Sequence, residues 1–212
     1  MKKKIAILGS TGSIGQSTLE VIKKNKKNFD VVLLTANNNY KKLIQQAKEF
    51  KVKNVLINDK NLFQMIKDKL KYSKTKVYCG NKSITNIVSG KLDYTMSAIV
   101  GIAGLEPTIQ AIKVSKTVAI ANKESIICGW EILSKYIKKY KTKILPIDSE
   151  HFSIMELSKG FKDDEIEEII ITASGGPFLY KPLSKLRNVK PNEAVQHPNW
   201  KMGKKISIDS ST

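Results

Sequence analysis

The order of apolar and polar positions alternates between two patterns along the first 150 residues. Short runs of consecutive apolar residues are typical of strands buried on both faces of a sheet, and they occur at 4–8, 29–36, 52–57, 77–79, 94–99, 117–121 and 143–147. Between several of these runs apolar residues recur at helical spacing, at 14–25, 40–49, 62–70 and 107–112, the last with Glu106 at its entrance. This alternation predicts an α/β fold, a Rossmann-like doubly wound parallel sheet.

The pattern changes after residue 149. The elements expected there are a helix, a polar turn, a strand, a glycine-rich run and a polar, irregular or briefly helical segment, at 151–157, 159–164, 166–172, 173–178 and 183–194. Ile206 and Ile208 alternate with polar residues as in a strand. We therefore expect two domains: the Rossmann-like sheet at 1–149 and part of an α+β catalytic domain at 150–212.

A glycine-rich turn follows the first predicted strand. Gly9, Gly12 and Gly15 lie between that strand and a helix that leads to the second strand, the context of a dinucleotide-binding turn. The first glycine permits the tight turn, the second lets a pyrophosphate approach the backbone, and the third lets helix and strand pack closely. The spacing Gly-x-x-Gly-x-x-Gly differs from the Gly-x-Gly-x-x-Gly of NAD enzymes. A turn that binds nothing is the alternative, and the βαβ context disfavours it.

The end of the second strand indicates which dinucleotide binds. NAD enzymes usually place an acidic residue there to bind the ribose 2′-hydroxyl. This chain instead has Asn37, Asn38 and Asn39, with Lys41 and Lys42 just beyond. No carboxylate repels a 2′-phosphate, and amides and lysines are available to bind one. We therefore expect NADP(H) rather than NAD(H).

Two carboxylates follow the last predicted strand. Asp148 and Glu150 are two residues apart, so both can point into one cleft at the strand end. Oxygen ligands of this kind suit Mg²⁺ or Mn²⁺. Acidic residues after a strand are also common as helix N-caps or solvated turn residues, which is the alternative. The other unusual stretches, 9–15, 101–104 and 122–125, also lie at strand ends, where parallel sheets bind their ligands.

The chain is strongly basic, with 37 Lys and Arg against 19 Asp and Glu and a net charge of +18. Arg187 is its only arginine, and the lysines have no interleaved aromatic residues, so we expect no nucleic-acid and no membrane partner but a field that favours an anionic small substrate. There is no run of eighteen apolar residues, and the N-terminal lysines lead straight into a strand, which predicts a cytoplasmic protein. Cys79 and Cys128 are expected to be reduced thiols.

Six motifs in order resemble those of the 1-deoxy-D-xylulose 5-phosphate reductoisomerase family. They are Gly-Ser-Thr-Gly-Ser-Ile-Gly at 9–15, Ala-Asn-Lys-Glu-Ser at 121–125, Pro-Ile-Asp-Ser-Glu-His at 146–151, Ser-Gly-Gly-Pro-Phe at 174–178, His-Pro-Asn-Trp-Lys-Met-Gly at 197–203 and Lys-Ile-Ser-Ile-Asp-Ser at 205–210. As a set covering the whole chain they are highly specific. The resemblance implies an NADPH-dependent and divalent-metal-dependent oxidoreductase that converts 1-deoxy-D-xylulose 5-phosphate to 2-C-methyl-D-erythritol 4-phosphate in isoprenoid precursor synthesis.

The resemblance also implies a role for individual residues. The metal, Mg²⁺ or Mn²⁺ with Co²⁺ as a further candidate, would be held by Asp148 and Glu150, which with Lys123 form the catalytic set. The implied substrate-binding residues are Lys123, Ser149, Glu150, Ser174, His197 and Ser210. The implied cofactor-binding residues are Thr11, Gly12, Ser13, Ile14, Asn37, Asn38, Asn39, Asn122, Glu124 and Gly203. Trp200 and Met202 would belong to a closing lid, and the full-length protein would be a homodimer.

Two departures from the family pattern matter. The family commonly has Gly-Lys-Asn at 37–39, so the lysine expected to bind the 2′-phosphate is missing. The family also continues into an Asn-Lys-x-x-Glu segment, with a third metal carboxylate, and a C-terminal helical domain. We therefore expect the N-terminal half of a longer enzyme, with little or no turnover. The alternatives are another NADP-dependent oxidoreductase, such as a semialdehyde dehydrogenase, which would need a nucleophilic cysteine beyond Cys128, or a non-catalytic basic nucleotide- or nucleic-acid-binding module.

Overall fold

The computed structural model describes residues 1–80, 82–172, 175–199 and 203–210. The chain forms two compact units, Met1–Leu157 and Ser158–Thr212. In the part of the chain so described, no helix is long and apolar enough to cross a membrane.

The first unit contains a seven-stranded sheet in which every neighbouring pair of strands is parallel. Its strands are β1 Lys3–Leu8, β2 Phe29–Ala36, β3 Asn54–Ile57, β4 Lys76–Cys79, β5 Leu92–Ser97, β6 Ser115–Ile120 and β7 Lys143–Pro146. They are arranged in the order β4-β3-β2-β1-β5-β6-β7. Strands β2 to β4 are added on one side of β1 and strands β5 to β7 on the other, so the switch point of the sheet lies between β1 and β5. The predicted Rossmann-like doubly wound sheet is confirmed.

The helices of this unit pack on both faces of the sheet. They are α1 Ser13–Lys24, α2 Tyr40–Phe50, α3 Phe63–Leu70, α4 Ile84–Ile87, α5 Leu105–Val114, α6 Lys123–Tyr140 and α7 Ser149–Leu157. Helices α1, α2 and α3 contribute to one buried apolar cluster, and α4, α5 and α6 to the other. β1 shows why the run at its centre is uniformly apolar: Ile5 and Ile7 belong to the first cluster, whereas Ala6 and Leu8 belong to the second.

Helix α6 was not recognised from its sequence. Leu133 is fully buried, but Ile127, Trp130 and Ile132 are exposed by 72%, 56% and 48%, which blurs the apolar stripe that reveals a helix. Helix α5 starts two residues before its predicted start and therefore includes Pro107 in its first turn, where a proline costs no hydrogen bond.

The second unit contains helical elements only, in the part described. These are 3₁₀ turns at Asp163–Glu165 and Leu183–Asn188, and the short helices α8 Pro191–Ala194 and α9 Lys204–Asp209. The predicted strand at 166–172 is wrong: the backbone there is irregular, and Ile169, Ile170 and Ile171 are exposed by 58%, 74% and 65%. The strand predicted from Ile206 and Ile208 is also wrong, because both lie in α9. A strand needs a neighbour for its hydrogen bonds, which a helix forms within itself, and the described residues of this unit offer no partner strand.

Candidate functional site

Four predicted stretches meet at one edge of the sheet. β1, β5, β6 and β7 are consecutive neighbours and all parallel. The glycine-rich turn follows β1, residues 98–104 follow β5, Asn122 follows β6 and Asp148 follows β7. All four stretches therefore lie at the carboxyl ends of adjacent strands, where α/β sheets bind ligands.

The three glycines of the turn have different surroundings. Gly9 has a φ of +79°, and a methyl group added to it would lie 2.7 Å from the carbonyl oxygen of Ala98. A methyl group on Gly15 would lie 2.4 Å from the Gly9 oxygen, so this glycine lets α1 approach the turn. At Gly12 the nearest atom would be 3.5 Å away, an ordinary contact. The space beside Gly12 is therefore open, as a pyrophosphate site requires.

The first turn of α1 is free to receive an anion. Gly12 is its N-cap and supplies no side-chain cap, and no acidic residue lies in the first turn. The leading N–H groups and the positive end of the helix dipole then favour a bound phosphate. Ser13 and Ile14 are exposed beside them, and the carbonyl of Thr11 accepts a hydrogen bond of 2.9 Å from Nε2 of Gln16.

The three asparagines after β2 are all exposed, but two of their side chains already bind the protein. Oδ1 of Asn37 accepts a hydrogen bond from Nδ2 of Asn58 at 3.0 Å, and Oδ1 of Asn39 caps α2 by accepting from the Lys42 backbone N–H at 3.2 Å. Asn38 lies between them, at the position where the family commonly has lysine.

Asn122 is buried and its side chain binds two parts of the backbone. Nδ2 donates to the carbonyl oxygens of Ile99 and Gly101, and Oδ1 caps α6 by accepting from the Ser125 N–H at 3.0 Å. Both N–H groups of the Asn122 side chain are thus used within the protein. The next residues, Lys123 and Glu124, open α6, with Lys123 exposed and Glu124 half-buried.

Asp148 uses one carboxylate oxygen as a helix cap. Oδ1 accepts a hydrogen bond from the His151 backbone N–H at 3.1 Å, and Nδ1 of the His151 ring lies 2.5 Å from the same oxygen. Oδ2 is buried and has no hydrogen-bond partner among the described residues. A buried carboxylate oxygen without a donor is well suited to a cation. Oδ1 therefore acts as a helix cap, and Oδ2 is the oxygen that a cation could use.

Glu150 lies in the first turn of α7, close enough to Lys123 and Asp148 to interact electrostatically. Its pKa is lowered chiefly by its own backbone N–H, next by the Ser149 hydroxyl, and further by the positive charge of Lys123. Burial and the charge of Asp148 oppose this lowering. The Ser149 hydroxyl donates to Oε2 of Glu150 at 2.9 Å. The sheet edge therefore combines two carboxylates and an exposed ammonium group.

Asp148 and Glu150 would not by themselves complete a metal site. Among the residues that the structure describes, no group of three His, Cys, Asp or Glu side chains is arranged to hold a metal ion. Asp148 and Glu150 can supply two oxygen ligands, and further ligands would have to come from substrate, water or other protein residues.

Several predicted site residues fall in the second unit. Nδ1 of His197 accepts from the Asn199 N–H at 3.1 Å, the Ser210 hydroxyl donates to the Ser207 oxygen at 2.9 Å, and the Gly203 oxygen accepts from the Ser207 N–H at 3.1 Å. Ser174, Trp200 and Met202 lie outside the described residues. This unit also has a cavity of about 500 Å³, whose lining includes Gly176, Phe178, Lys181, Lys185 and Glu193.

Comparison with known proteins identifies the family. A family model described as 1-deoxy-D-xylulose 5-phosphate reductoisomerase matches residues 5–129, and the model of that family's C-terminal domain matches residues 144–212. The chain belongs to the 1-deoxy-D-xylulose 5-phosphate reductoisomerase family. The reductoisomerase of Pelagibacter ubique is 55% identical over 212 residues, which are 99% of this chain and 55% of that relative. The enzyme of Wolbachia pipientis is 46% identical over 99% of this chain and 54% of its own length.

Solved reductoisomerase structures share the fold. The enzyme from Zymomonas mobilis, described as a complex with NADPH, matches the whole chain and 54% of its own with a TM-score of 0.90 and 40% identity. A second reductoisomerase, described as a complex with NADPH, fosmidomycin and magnesium, matches 99% of this chain and 54% of its own with a TM-score of 0.83 and 35% identity. The chain thus spans about half the length of its relatives.

The residues that hold the glycine turn in place escaped the sequence analysis. Thr35 and Gln46 bind Gly9 and Ser10 from β2 and α2. The sequence does contain a sign of this role, because Gln46 is a polar residue on the apolar side of α2, next to Ala47. Nothing in the sequence, however, shows that its partner lies 36 positions away.

Proposed function

We propose that this chain is the N-terminal half of an NADPH-dependent and divalent-metal-dependent reductoisomerase that converts 1-deoxy-D-xylulose 5-phosphate to 2-C-methyl-D-erythritol 4-phosphate. One observation carries the proposal. An open glycine turn and a carboxylate oxygen that is buried and unpartnered in the described part of the chain lie at the carboxyl ends of strands in one sheet. Related structures described as complexes with NADPH and magnesium support both ligands.

The first unit would bind the cofactor through its glycine turn. The backbone of Thr11, Gly12, Ser13 and Ile14 would hold the pyrophosphate at the first turn of α1. The asparagines at 37–39 would face the adenosine end of NADPH, and Asn122 and Glu124 would lie near its nicotinamide end. Residues 1–149 would form the NADPH-binding domain, and 150–212 part of the catalytic domain.

Asp148 and Glu150 would hold Mg²⁺ or Mn²⁺ beside the substrate oxygens. A bound divalent ion polarises a carbonyl group and stabilises negative charge on a neighbouring oxygen. Lys123 would place a further positive charge near the oxygen that becomes negative during the carbon-skeleton rearrangement, and Ser149 would bind the substrate. NADPH would then deliver hydride to the rearranged aldehyde.

From the second unit we propose Ser174, His197 and Ser210 as substrate-binding residues and Gly203 as a cofactor contact. Trp200 and Met202 would exclude water from the bound substrate. The partners of the full-length protein would be a sugar phosphate and a second copy of the same chain.

The cofactor assignment is tested by titrating the protein with NADPH and NADH in a calorimeter. We expect saturable binding that favours NADPH. Gly12→Val should abolish binding of both cofactors while the protein stays folded, because its side chain would fill the open space beside the turn. Unchanged binding by a folded Gly12→Val variant would contradict this placement of the pyrophosphate.

The metal assignment is tested with Asp148→Asn and Mn²⁺. The neutral amide should weaken Mn²⁺ binding at least tenfold, as expected when a hard cation loses a charged ligand, and leave NADPH affinity nearly unchanged. Paramagnetic resonance of free Mn²⁺ measures the first quantity and calorimetry the second. Equal Mn²⁺ affinity of the two proteins would remove Asp148 from the site.

A further inference from the structure

The glycine turn rests on a buried amide that lies 36 residues away in the sequence. Gln46 of α2 is only 4% exposed. Its Oε1 accepts a hydrogen bond from the Ser10 hydroxyl at 2.8 Å, and its Nε2 donates to the Ser10 carbonyl oxygen at 2.9 Å. One side chain therefore binds both the hydroxyl and the carbonyl of the residue that follows Gly9.

The remaining polar group of Ser10 is bound as well. Its backbone N–H donates to the Thr35 carbonyl at 2.8 Å, and the Gly9 N–H donates to the Thr35 hydroxyl at 3.0 Å. Ser10 is fully buried. The start of the turn is thus attached to β2 and α2, two residues before Gly12, whose peptide leads into the first turn of α1.

An apolar side chain at position 46 could fill the space but could not bind the glycine turn. Gln46 lies beside Leu43 and Ala47 on the buried side of α2, where an apolar side chain of equal length would also fill the space. A buried amide must find partners to offset its loss of water, and Gln46 finds them in Ser10, whose buried carbonyl would lose the Gln46 donor in an apolar variant. What the amide adds is a defined orientation of the Ser10 peptide.

We propose that Gln46 is a positioning residue for dinucleotide binding, which it serves by holding the glycine turn in its binding conformation before the cofactor arrives. This inference rests on the proposed NADPH function. A turn already ordered in the free protein loses little conformational entropy when the pyrophosphate binds, whereas a loosened turn must be ordered at the expense of affinity. Gln46 acts on the pyrophosphate site only through Ser10.

The proposal predicts an effect on affinity that does not depend on the nucleotide. The pyrophosphate is common to NADPH and NADH, so Gln46→Met should raise the Kd of both by the same factor, about tenfold if roughly one residue must be ordered on binding. Ser10→Ala keeps the bond from the Gln46 amide to the Ser10 carbonyl and should have a smaller effect, about threefold on the same basis.

The experiment is calorimetric titration of the wild type, Gln46→Met, Ser10→Ala and the double variant with both cofactors, together with urea denaturation of each protein. Thr142→Val is the matched control. The Thr142 hydroxyl is also buried and donates to the carbonyls of Ile112 and Ser115, just before β7, at the end of the sheet away from the glycine turn. The control should lose stability and keep the wild-type Kd for NADPH.

The outcomes separate the two proposals. A wild type that binds neither cofactor contradicts the proposed function. If the wild type binds and Gln46→Met retains its Kd, or loses affinity only for NADPH, the positioning role is wrong. The positioning role is also wrong if Thr142→Val raises the Kd for NADPH as much as Gln46→Met does. A double variant that folds and binds NADPH and NADH with Kd values raised by one common factor supports the positioning role, whatever its loss of stability. If Gln46→Met does not fold, Ser10→Ala tests the positioning role. An equal rise in its Kd for NADPH and NADH supports the role, and unchanged Kd values contradict it.

Discussion

Several side chains that are proposed to bind ligands at the carboxyl edge of the sheet also bind other parts of the protein. Asp148 caps α7 with Oδ1, whereas its buried Oδ2 has no partner within the described ranges. Asn39 caps α2, and Asn37 binds Asn58, so these amides shape the loop that would receive the adenosine end of the cofactor. At this scale the residues proposed to bind ligands also maintain the local structure, because a strand end and a helix start meet in the same few residues.

Asn38 is the residue at which cofactor preference should be adjustable. It is exposed, and it occupies the position where the family commonly has lysine. Asn38→Lys should raise the affinity for NADPH relative to NADH about fivefold, because an ammonium group can pair with the 2′-phosphate in partly exposed surroundings. Competitive titration with the two cofactors measures the ratio.

Asn25→Lys is the control for that change. It adds the same charge at the exposed C-cap of α1, at the opposite end of the helix from the glycine turn. The NADPH to NADH ratio of this variant should stay at the wild-type value. If both lysines raised the ratio equally, net charge rather than a contact with the 2′-phosphate would explain the effect.

At the scale of elements, Asn122 joins the start of α6 to the loop after β5. Asn122→Ala removes a helix cap and two hydrogen bonds to partly buried carbonyls, of which only that of Gly101 keeps a further donor, the Gly104 N–H, so it should lower the free energy of unfolding by about 2–4 kcal/mol. Urea denaturation measures the loss. Asn39→Ala removes an exposed cap alone and should cost about 1 kcal/mol. Equal losses would show that the two loop contacts contribute nothing.

Asp93 joins three strands near their amino ends. Its carboxylate binds Nζ of Lys116 on β6 at 2.8 Å and the backbone N–H of Lys4 on β1 at 2.9 Å. The Lys116 hydrogen bond, followed by that from Lys4, lowers the pKa of Asp93. A lowered carboxyl pKa means that the ionised form stabilises the fold, a contribution present above the unfolded-state pKa and lost as the pH falls through the folded-state value.

Asp93→Asn tests this dependence. At pH 7 the variant should be less stable by under about 1 kcal/mol, as expected for a largely solvated pair. Between about pH 5 and pH 3 the wild type should lose stability more steeply than the variant, because only the wild type takes up a proton at this position. Urea denaturation across this range gives both slopes. Parallel stability curves for the two proteins would show that Asp93 has the same pKa in the folded and unfolded states.

At the scale of the whole molecule, the two units differ in how much apolar surface they bury. Every buried apolar side chain of the described residues belongs to the first unit, and none lies between 158 and 210. Burial of apolar surface is the main source of folding free energy. The two units should therefore differ in their ability to fold alone.

Separate expression of residues 1–157 and 158–212 tests this expectation. The first fragment should show a cooperative thermal transition by circular dichroism, with a midpoint close to that of the entire chain. The second should show none, because it lacks a buried core in the described part. Cooperative unfolding of residues 158–212 alone would contradict this account.

Much of the fold follows from the order of residues because the signals are local. Seven apolar runs indicated seven strands, and the glycine spacing indicated the turn, since each depends on neighbours within one element. The candidate residues follow the carboxyl ends of these strands. They were therefore expected at one edge, because a doubly wound parallel sheet brings the carboxyl ends of its strands together. The signal failed at α6, whose exposed apolar residues obscure its stripe, and at 166–172, where a strand pattern has no partner strand in the described part of its unit.

The amino-acid sequence alone thus determined the fold class, the family and the candidate residues. Only the tertiary structure decided which protein groups these and neighbouring residues contact. It showed that the Asn122 side chain binds backbone carbonyls, that one oxygen of Asp148 has no partner in the described structure, and that Gln46 binds Ser10. The physical reason is distance along the chain: propensity and periodicity act over a few residues, whereas hydrogen bonds between elements depend on packing that the entire sheet establishes.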